Sequence, residues 1–313
     1  MCFYDNAPAP TLFLSVAGRS FDTRSAVILQ VNGEGKNMFT EKIDLYKYFG
    51  LVRPDKADGY LTAYVHDETE NKPNRIRPAM LVIGGGGYAY VSQREKECVA
   101  LSYLAQGFNA FTLQYSVAPV TYPAQLNEGL MAIIYIRENA AKYGVDKEHV
   151  AAIGFSAGGH LCAMLATLFD SADAVKIFGN KTALARPDAV VLSYPVITWG
   201  ESAHKGSFDN LCGENESLKQ ELSLEKRVKA NSSPAFIWAT ANDAAVPVEN
   251  SLYYALACKK HGVPFELCVF EDGQHGLSLA NEEVFTVNKP VQKWFNLSVE
   301  WLRRRGFVIN DCE

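Results

Sequence analysis

In the stretch Val150 to Met164, VAAIGFSAGGHLCAM, one hydroxyl stands between two glycines and is followed by small residues. That hydroxyl is Ser156, with Gly154 and Gly158 two positions away on either side. If a strand turns sharply into a helix here, the serine sits at the apex with its Oγ exposed and the positive helix end beside it. The pattern G-x-S-x-G then reads as a nucleophile elbow. The glycines remove Cβ atoms that so sharp a turn would drive together. The pentapeptide alone is a weak signal, because a tight turn whose serine merely caps the helix would use the same residues.

A serine hydroxyl needs a base to take its proton and an acid to orient that base. Six histidines compete. His160 belongs to the helix after Ser156 and reads as a packed core histidine. His149 opens the preceding strand at the opposite sheet edge, His261 closes a helix beside Lys259 and Lys260, and His66 and His204 follow no strand directly. His275 differs: it leaves the apolar run FELCVF in the loop EDGQHGLS, where Gly273 and Gly276 let the chain double back. Asp243 leaves the preceding apolar run, AFIWAT, in the loop ANDAAVP. One helix and one strand fit between them, so both side chains emerge at the ends of neighbouring parallel strands. Asp243 as a helix cap ahead of Pro247 is the competing reading, and Glu249, Glu271 and Asp272 are nearby rival acids. The order Ser, Asp, His matches the hydrolase arrangement and not that of the two common serine-protease folds.

Acyl transfer also needs fixed N–H donors for the oxyanion. LVIGGGGYAY supplies a side-chain-free loop after a strand, so the amides of Gly86, Gly87 and Ala157 are the expected donors, with Gly85 as substitute. Gly84-x-Gly86-x-x-Ala89 also fits a dinucleotide fingerprint, but FNAFTLQY lacks the acid that would hold the ribose. No cofactor is expected. Without a P-loop, an H-E-x-x-H or a cluster of ligands, no metal is expected either.

These residues need a scaffold. The runs AMLVIGG, NAFTLQY, HVAAIGF, DAVVLSY, AFIWAT and FELCVF are short and continuously apolar, as central strands of a parallel sheet are. Between them lie the helical patterns REKECVALSYLAQG, PAQLNEGLMAIIYIRENAAKYG, PVENSLYYALACKKHG and PVQKWFNLSVEWLRRRG, each ending in glycine. The alternation predicts an open α/β sheet wrapped by helices, with ligands at the carboxyl ends of its strands. Residues 43–313 are read as that domain. Residues 1–42, with strands expected at TLFLSVAG and SAVILQVNGEG, are an N-terminal extension of open role, on the core or at a homo-oligomer interface.

Among 313 residues, 30 basic and 35 acidic side chains give a net charge of −5, with no charged block beyond Arg303-Arg304-Arg305. Neither nucleic acid nor an anionic membrane is an expected partner. Seven scattered cysteines without a CxxC pair, and a start lacking a basic n-region, make a reduced, cytosolic protein the expectation.

With GGGGY, GFSAGGHL, ANDAAVPVENS and DGQHGLSLA on the page, the chain resembles the α/β-hydrolase superfamily. The branch is that of acetyl esterases, with acetylxylan and feruloyl esterase-like proteins. YSVAPVTYPAQL, YGVDKEHVAAIGFSAGGHL and RPDAVVLSYPVI extend the likeness, which runs from about residue 58 to 306. The resemblance implies an eight-stranded, mostly parallel sheet. It also implies a Ser-His-Asp triad that removes acyl groups, often acetyl, from carbohydrates, with Ser156 as nucleophile, Asp243 as acid and His275 as base. Two positions depart from it: Gly84 stands where many relatives have His or Pro, and Asn242 where an acid often precedes the catalytic one.

The stretch from Trp199 to Ser233 is placed to cover the site. Its charge and want of a broad apolar face favour a small polar ester over a triglyceride. Tyr88, Trp199 and Val246 are candidate substrate contacts at the rim. An oligopeptidase-type hydrolase, which usually carries a large accessory domain, and a silent hydrolase fold used for binding are the alternatives.

Overall fold

The computed structural model describes residues 38–67, 75–284 and 286–311; the two strands expected within 11–35 lie outside them. The described chain opens on β1 (Phe39–Asp44), α1 (Leu45–Phe49), β2 (Tyr60–Val65) and β3 (Arg75–Ile83). Strand and helix then alternate through α2 (Glu97–Ala105), β4 (Asn109–Gln114), α3 (Ala124–Glu138), α4 (Ala140–Tyr143), β5 (Val145–Phe155) and α5 (Ala157–Leu168). Next come α6 (Ala172–Phe178), β6 (Ala189–Ser193), α7 (Lys205–Cys212) and α8 (Glu216–Glu221). Finally β7 (Ala235–Thr240), α9 (Glu249–His261), β8 (Phe265–Phe270), α10 (Lys289–Arg303) and β9 (Asn310–Asp311) complete it.

The main sheet has the order β1-β2-β4-β3-β5-β6-β7-β8, and β9 pairs off this path with the start of β3. β2 is antiparallel to both neighbours, and every pair from β4 to β8 is parallel. The eight-stranded, mostly parallel sheet implied by the resemblance is present.

Helices cover both faces, which is why the strands read as unbroken apolar runs. Alternate residues enter opposite cores, as a period of two requires. Ala79, Leu81 and Ile83 of β3 share one core with Leu130 of α3, Leu161 of α5 and Tyr254 of α9. Met80 and Val82 join the other, with Tyr103 of α2 and Trp294 of α10. β7 repeats the division, Ala235 and Ile237 to one side, Phe236 and Trp238 to the other.

The topology also locates a crevice. After β3 the chain crosses to β4 on one side, whereas after β5 it crosses to β6 on the other. The loops following β3 and β5 therefore part at their carboxyl ends, where α/β sheets bind ligands.

Some boundaries moved. β1 starts at Phe39, inside the segment that sequence alone assigned to the extension. The helical pattern from Pro123 to Gly144 is two helices, not one. They part at Asn139, whose side-chain amide donates to the Tyr135 carbonyl at 2.9 Å, a local bond that competes with helix continuation.

Candidate active site

Ser156 occupies the turn between β5 and α5 with φ 54° and ψ −119°. This is a backbone region that side chains rarely adopt, costing on the order of 1–3 kcal/mol. The flanking glycines make it attainable. A Cβ at Gly154 would lie 2.1 Å from the Gly158 carbonyl oxygen, and one at Gly158 would lie 2.4 Å from the carbonyl oxygens of both Ile83 and Gly84. The backbone of Ser156 is fixed by donation to Ser193 O at 3.0 Å and by acceptance from His160 and Val196. Its hydroxyl makes no capping bond to α5, so the oxygen is free for other work.

That oxygen lies 2.8 Å from His275 Nε2, while His275 Nδ1 lies 2.7 Å from Asp243 Oδ2. A carboxylate only accepts, so Nδ1–H donates to it and Nε2 is left to accept the Ser156 proton. The other oxygen of Asp243 accepts the amides of Ala245 and Val246 at 2.9 and 3.0 Å. Asp243 thus engages its own loop and the histidine at once, while α9 begins only at Glu249, with no side-chain capping bond from Val248.

The loop that carries His275 is braced on several sides. Gly276 turns it at φ +78°, Thr240 Oγ1 donates to Gly273 O, and Trp294 Nε1 donates to Ser278 O. Asn242 accepts the Gly273 amide at 2.9 Å and donates its own amide hydrogen to Asp272. An acid at 242 would lose the second bond, having no N–H to give.

Across the crevice, Gly86 (φ +117°), Gly87 (φ +64°) and Tyr88 (φ +57°) turn the loop after β3. A Cβ at Gly86 would lie 2.2 Å from Tyr90 O. The loop carbonyls are held: Tyr115 O–H donates to Gly84 O, the Ser92 amide to Gly85 O and Asn210 Nδ2 to Gly87 O. Among the described residues, the amides of Gly86, Gly87 and Ala157 have no protein acceptor. The Gly85 amide is already taken by Glu95 Oε2 at 2.9 Å.

The three rim candidates separate. Tyr88 is fully buried, with its hydroxyl 2.9 Å from His160 Nδ1; the positive φ turns its ring beneath the loop, away from solvent. Val246 is also buried and meets the site through its backbone amide. Neither side chain is open to a ligand. Trp199 is half-buried, packed on Phe208 with Lys219 Nζ 4.8 Å above its ring.

His160 has Nε2 on the Leu222 carbonyl at 2.9 Å, so Nδ1 accepts from Tyr88; burial pushes its pKa down to about 4, keeping it neutral. Sequence reasoning missed Glu95 and Tyr194, and set aside His204, which the structure places beside the site. His204 accepts the Ser207 amide through Nδ1 at the start of α7, its Cε1 3.9 Å from where a Cβ would stand at Gly87. Burial lowers its pKa, and the nearby imidazole of His275 lowers it further. No strand leads directly to Glu95 or His204, and Tyr194, which follows β6 at once, reads in sequence as the last residue of the apolar run DAVVLSY.

A cavity of about 700 Å³ opens beside His275, lined by Arg94, Asn242, Asp272, Gln274, Thr286 and Asn288 among others. Another, of about 580 Å³ between residues 51–56 and α3, contains none of the candidate residues. Among the described residues no group of three or more metal-ligating side chains occurs, and no helix is long and apolar enough to cross a membrane.

A serine at positive φ between a parallel strand and a helix, met by a histidine from the loop after β8, in a sheet of this order, defines an α/β-hydrolase. The sequence pattern of the BD-FAE family matches residues 64–257, well over half of the chain. The chain belongs to the BD-FAE family. It is 40% identical over 236 residues to endo-1,4-beta-xylanase B of Butyrivibrio fibrisolvens, covering 72% of this chain and 36% of that one. It is 27% identical over 238 residues to an acetylxylan esterase of Xylanibacter ruminicola, covering 74% and 46%. The chain therefore spans less than half the length of either curated relative. Among solved structures, an acetyl ester-xyloside bifunctional hydrolase from Caldicellulosiruptor lactoaceticus superposes with a TM-score of 0.74 at 38% identity, covering 86% of this chain and 97% of that one.

Proposed function

We propose that this protein is a cytosolic serine esterase that removes short acyl groups, acetyl foremost, from acylated carbohydrates. The observation that carries the reading is the unbroken row from Ser156 Oγ through His275 to Asp243, with spacings of 2.8 and 2.7 Å. The names borne by the xylan-related relatives support the carbohydrate part.

Ser156 Oγ passes its proton to His275 Nε2 and attacks the ester carbonyl. The oxyanion is held by the amides of Gly86, Gly87 and Ala157. The imidazolium, steadied by Asp243, returns the proton to the departing alcohol oxygen, leaving the acyl group on Ser156. Water, activated by the same histidine, then hydrolyses the acyl-enzyme and releases the carboxylic acid.

The test is Ser156→Ala assayed on p-nitrophenyl acetate and on a panel of acetylated sugars. A loss of at least about a thousandfold in kcat, with an unchanged melting temperature, is expected. Undiminished hydrolysis by the variant would overturn the mechanism; activity on aryl esters alone would overturn the carbohydrate assignment.

A further inference from the structure

One buried carboxylate joins the two halves of the site. Glu95 lies in the short 3-10 turn Gln93–Glu95 and is 3% exposed. Its Oε2 accepts the Gly85 amide at 2.9 Å, and its Oε1 accepts the Tyr194 hydroxyl at 2.7 Å. The Tyr194 oxygen in turn accepts the amide of Ser278, three residues beyond His275, at 2.8 Å. The tyrosine ring meets the imidazole of His275 edge-on, with centroids 5.0 Å apart. The same turn also reaches the histidine loop through its backbone, where Arg94 O accepts the Ser278 hydroxyl at 2.6 Å.

The space is tight. A Cβ at position 85 would lie 2.9 Å from Glu95 Oε2 and 3.0 Å from the Cβ of Ser156, so carboxylate and nucleophile flank the same glycine. A buried acid is costly unless its bonds are made, and an apolar side chain would fill the volume without that cost. Both oxygens of Glu95 are spent on elements that carry reacting groups: the glycine loop before Gly86 and Gly87, and the loop of His275.

We propose that Glu95 is a positioning residue, which through Gly85 and Tyr194 holds the Gly86 and Gly87 amides and the His275 ring in register around Ser156. The inference rests on the reading of Ser156 as nucleophile. A carboxylate suits both neighbours, because the Gly85 amide can only donate and the Tyr194 oxygen already accepts the Ser278 amide, leaving its O–H to donate. An amide at 95 offers one acceptor and turns its NH₂ toward the remaining donor.

The experiment uses Glu95→Gln, Tyr194→Phe and the double variant in the full chain. It measures the rate at which a fluorophosphonate probe labels Ser156, and kcat and KM on p-nitrophenyl acetate per labelled site. Each single variant is expected to lower both kcat and the labelling rate by about tenfold to a hundredfold, on the scale of a weakened oxyanion donor. KM should stay within about twofold. Because both act through one linkage, the double variant should fall little below the weaker single. Should Glu95→Gln fail to fold, Tyr194→Phe, which removes a single oxygen, carries the test alone. Wild-type labelling and kcat in the variants, even with a lowered melting temperature, would reduce Glu95 to a structural brace and overturn the inference. An unlabelled and inactive wild type would instead remove the esterase reading, and this inference with it.

Discussion

Asp243 divides its carboxylate, one oxygen for the imidazole and one for two amides of its own loop. Asp243→Asn preserves the second role and corrupts the first, because its NH₂ would face Nδ1 and put the imidazole proton on Nε2, toward Ser156. A loss of about 10⁴ in kcat with little change in KM is expected by steady-state kinetics. The glycines make an equally local prediction. A methyl at Gly158 has only rigid backbone to meet, two carbonyl oxygens at 2.4 Å, and nothing there can yield cheaply. Gly158→Ala should destabilise the fold by at least about 2 kcal/mol in urea melts and inactivate what remains folded. Ser156, Asp243 and His275, which the structure joins by hydrogen bonds, were legible because each lies at or shortly after the end of an apolar run. Glu95 was not: an acid in a short turn looks the same in sequence whether it faces solvent or the underside of a glycine loop.

At the scale of elements, the stretch from Trp199 to Ser233 proves to be a fixed wall. α7 bonds the oxyanion loop through Asn210, and Phe208, Leu211, Leu222 and Leu224 bury into the core. Charge filled the sequence of this segment and hid these anchors, two in α7 and two in the turns that follow α8, with no long periodic face among them. Trp199 is the aromatic ring this wall leaves half-open. Trp199→Ala is expected to raise KM for acetylated sugars several-fold, leaving kcat on p-nitrophenyl acetate within about twofold. Equal KM values for the sugars would remove Trp199 as a contact. Tyr88 shows the complementary error: its place after the glycines was readable, but the direction of its ring depended on the positive φ of the folded loop.

Over the whole molecule, two buried ionisable groups pull stability in opposite directions with pH. Glu128 accepts from Tyr46 and from the amide and hydroxyl of Ser116, and burial raises its pKa from 4.5 to about 7. Between those values the folded chain keeps a proton that the unfolded chain has released, so this group's contribution falls as pH rises through 7. His160, lowered from 6.5 to about 4, acts in reverse: its unfolded form takes up protons as pH falls through that window, so its contribution is lost toward acid. The two slopes largely cancel between about 4.5 and 6.5. Glu128→Gln copies the neutral acid and removes one of them, so its melting temperature relative to wild type should climb from pH 4.5 to 7.5; a constant difference would contradict the buried-acid account. By itself, the sequence determined the strand and helix alternation, the elbow at Ser156 and the choice of His275 and Asp243. These are written in local periodicity, glycine placement and chain order, which act over neighbouring residues. Only the tertiary structure decided that Tyr88 and Val246 turn inward, that the Gly85 amide is occupied and that Glu95 ties the two loops together. Such contacts join residues up to about a hundred positions apart, as Glu95 and Tyr194 are with a separation of 99, and nothing local in either segment records the other.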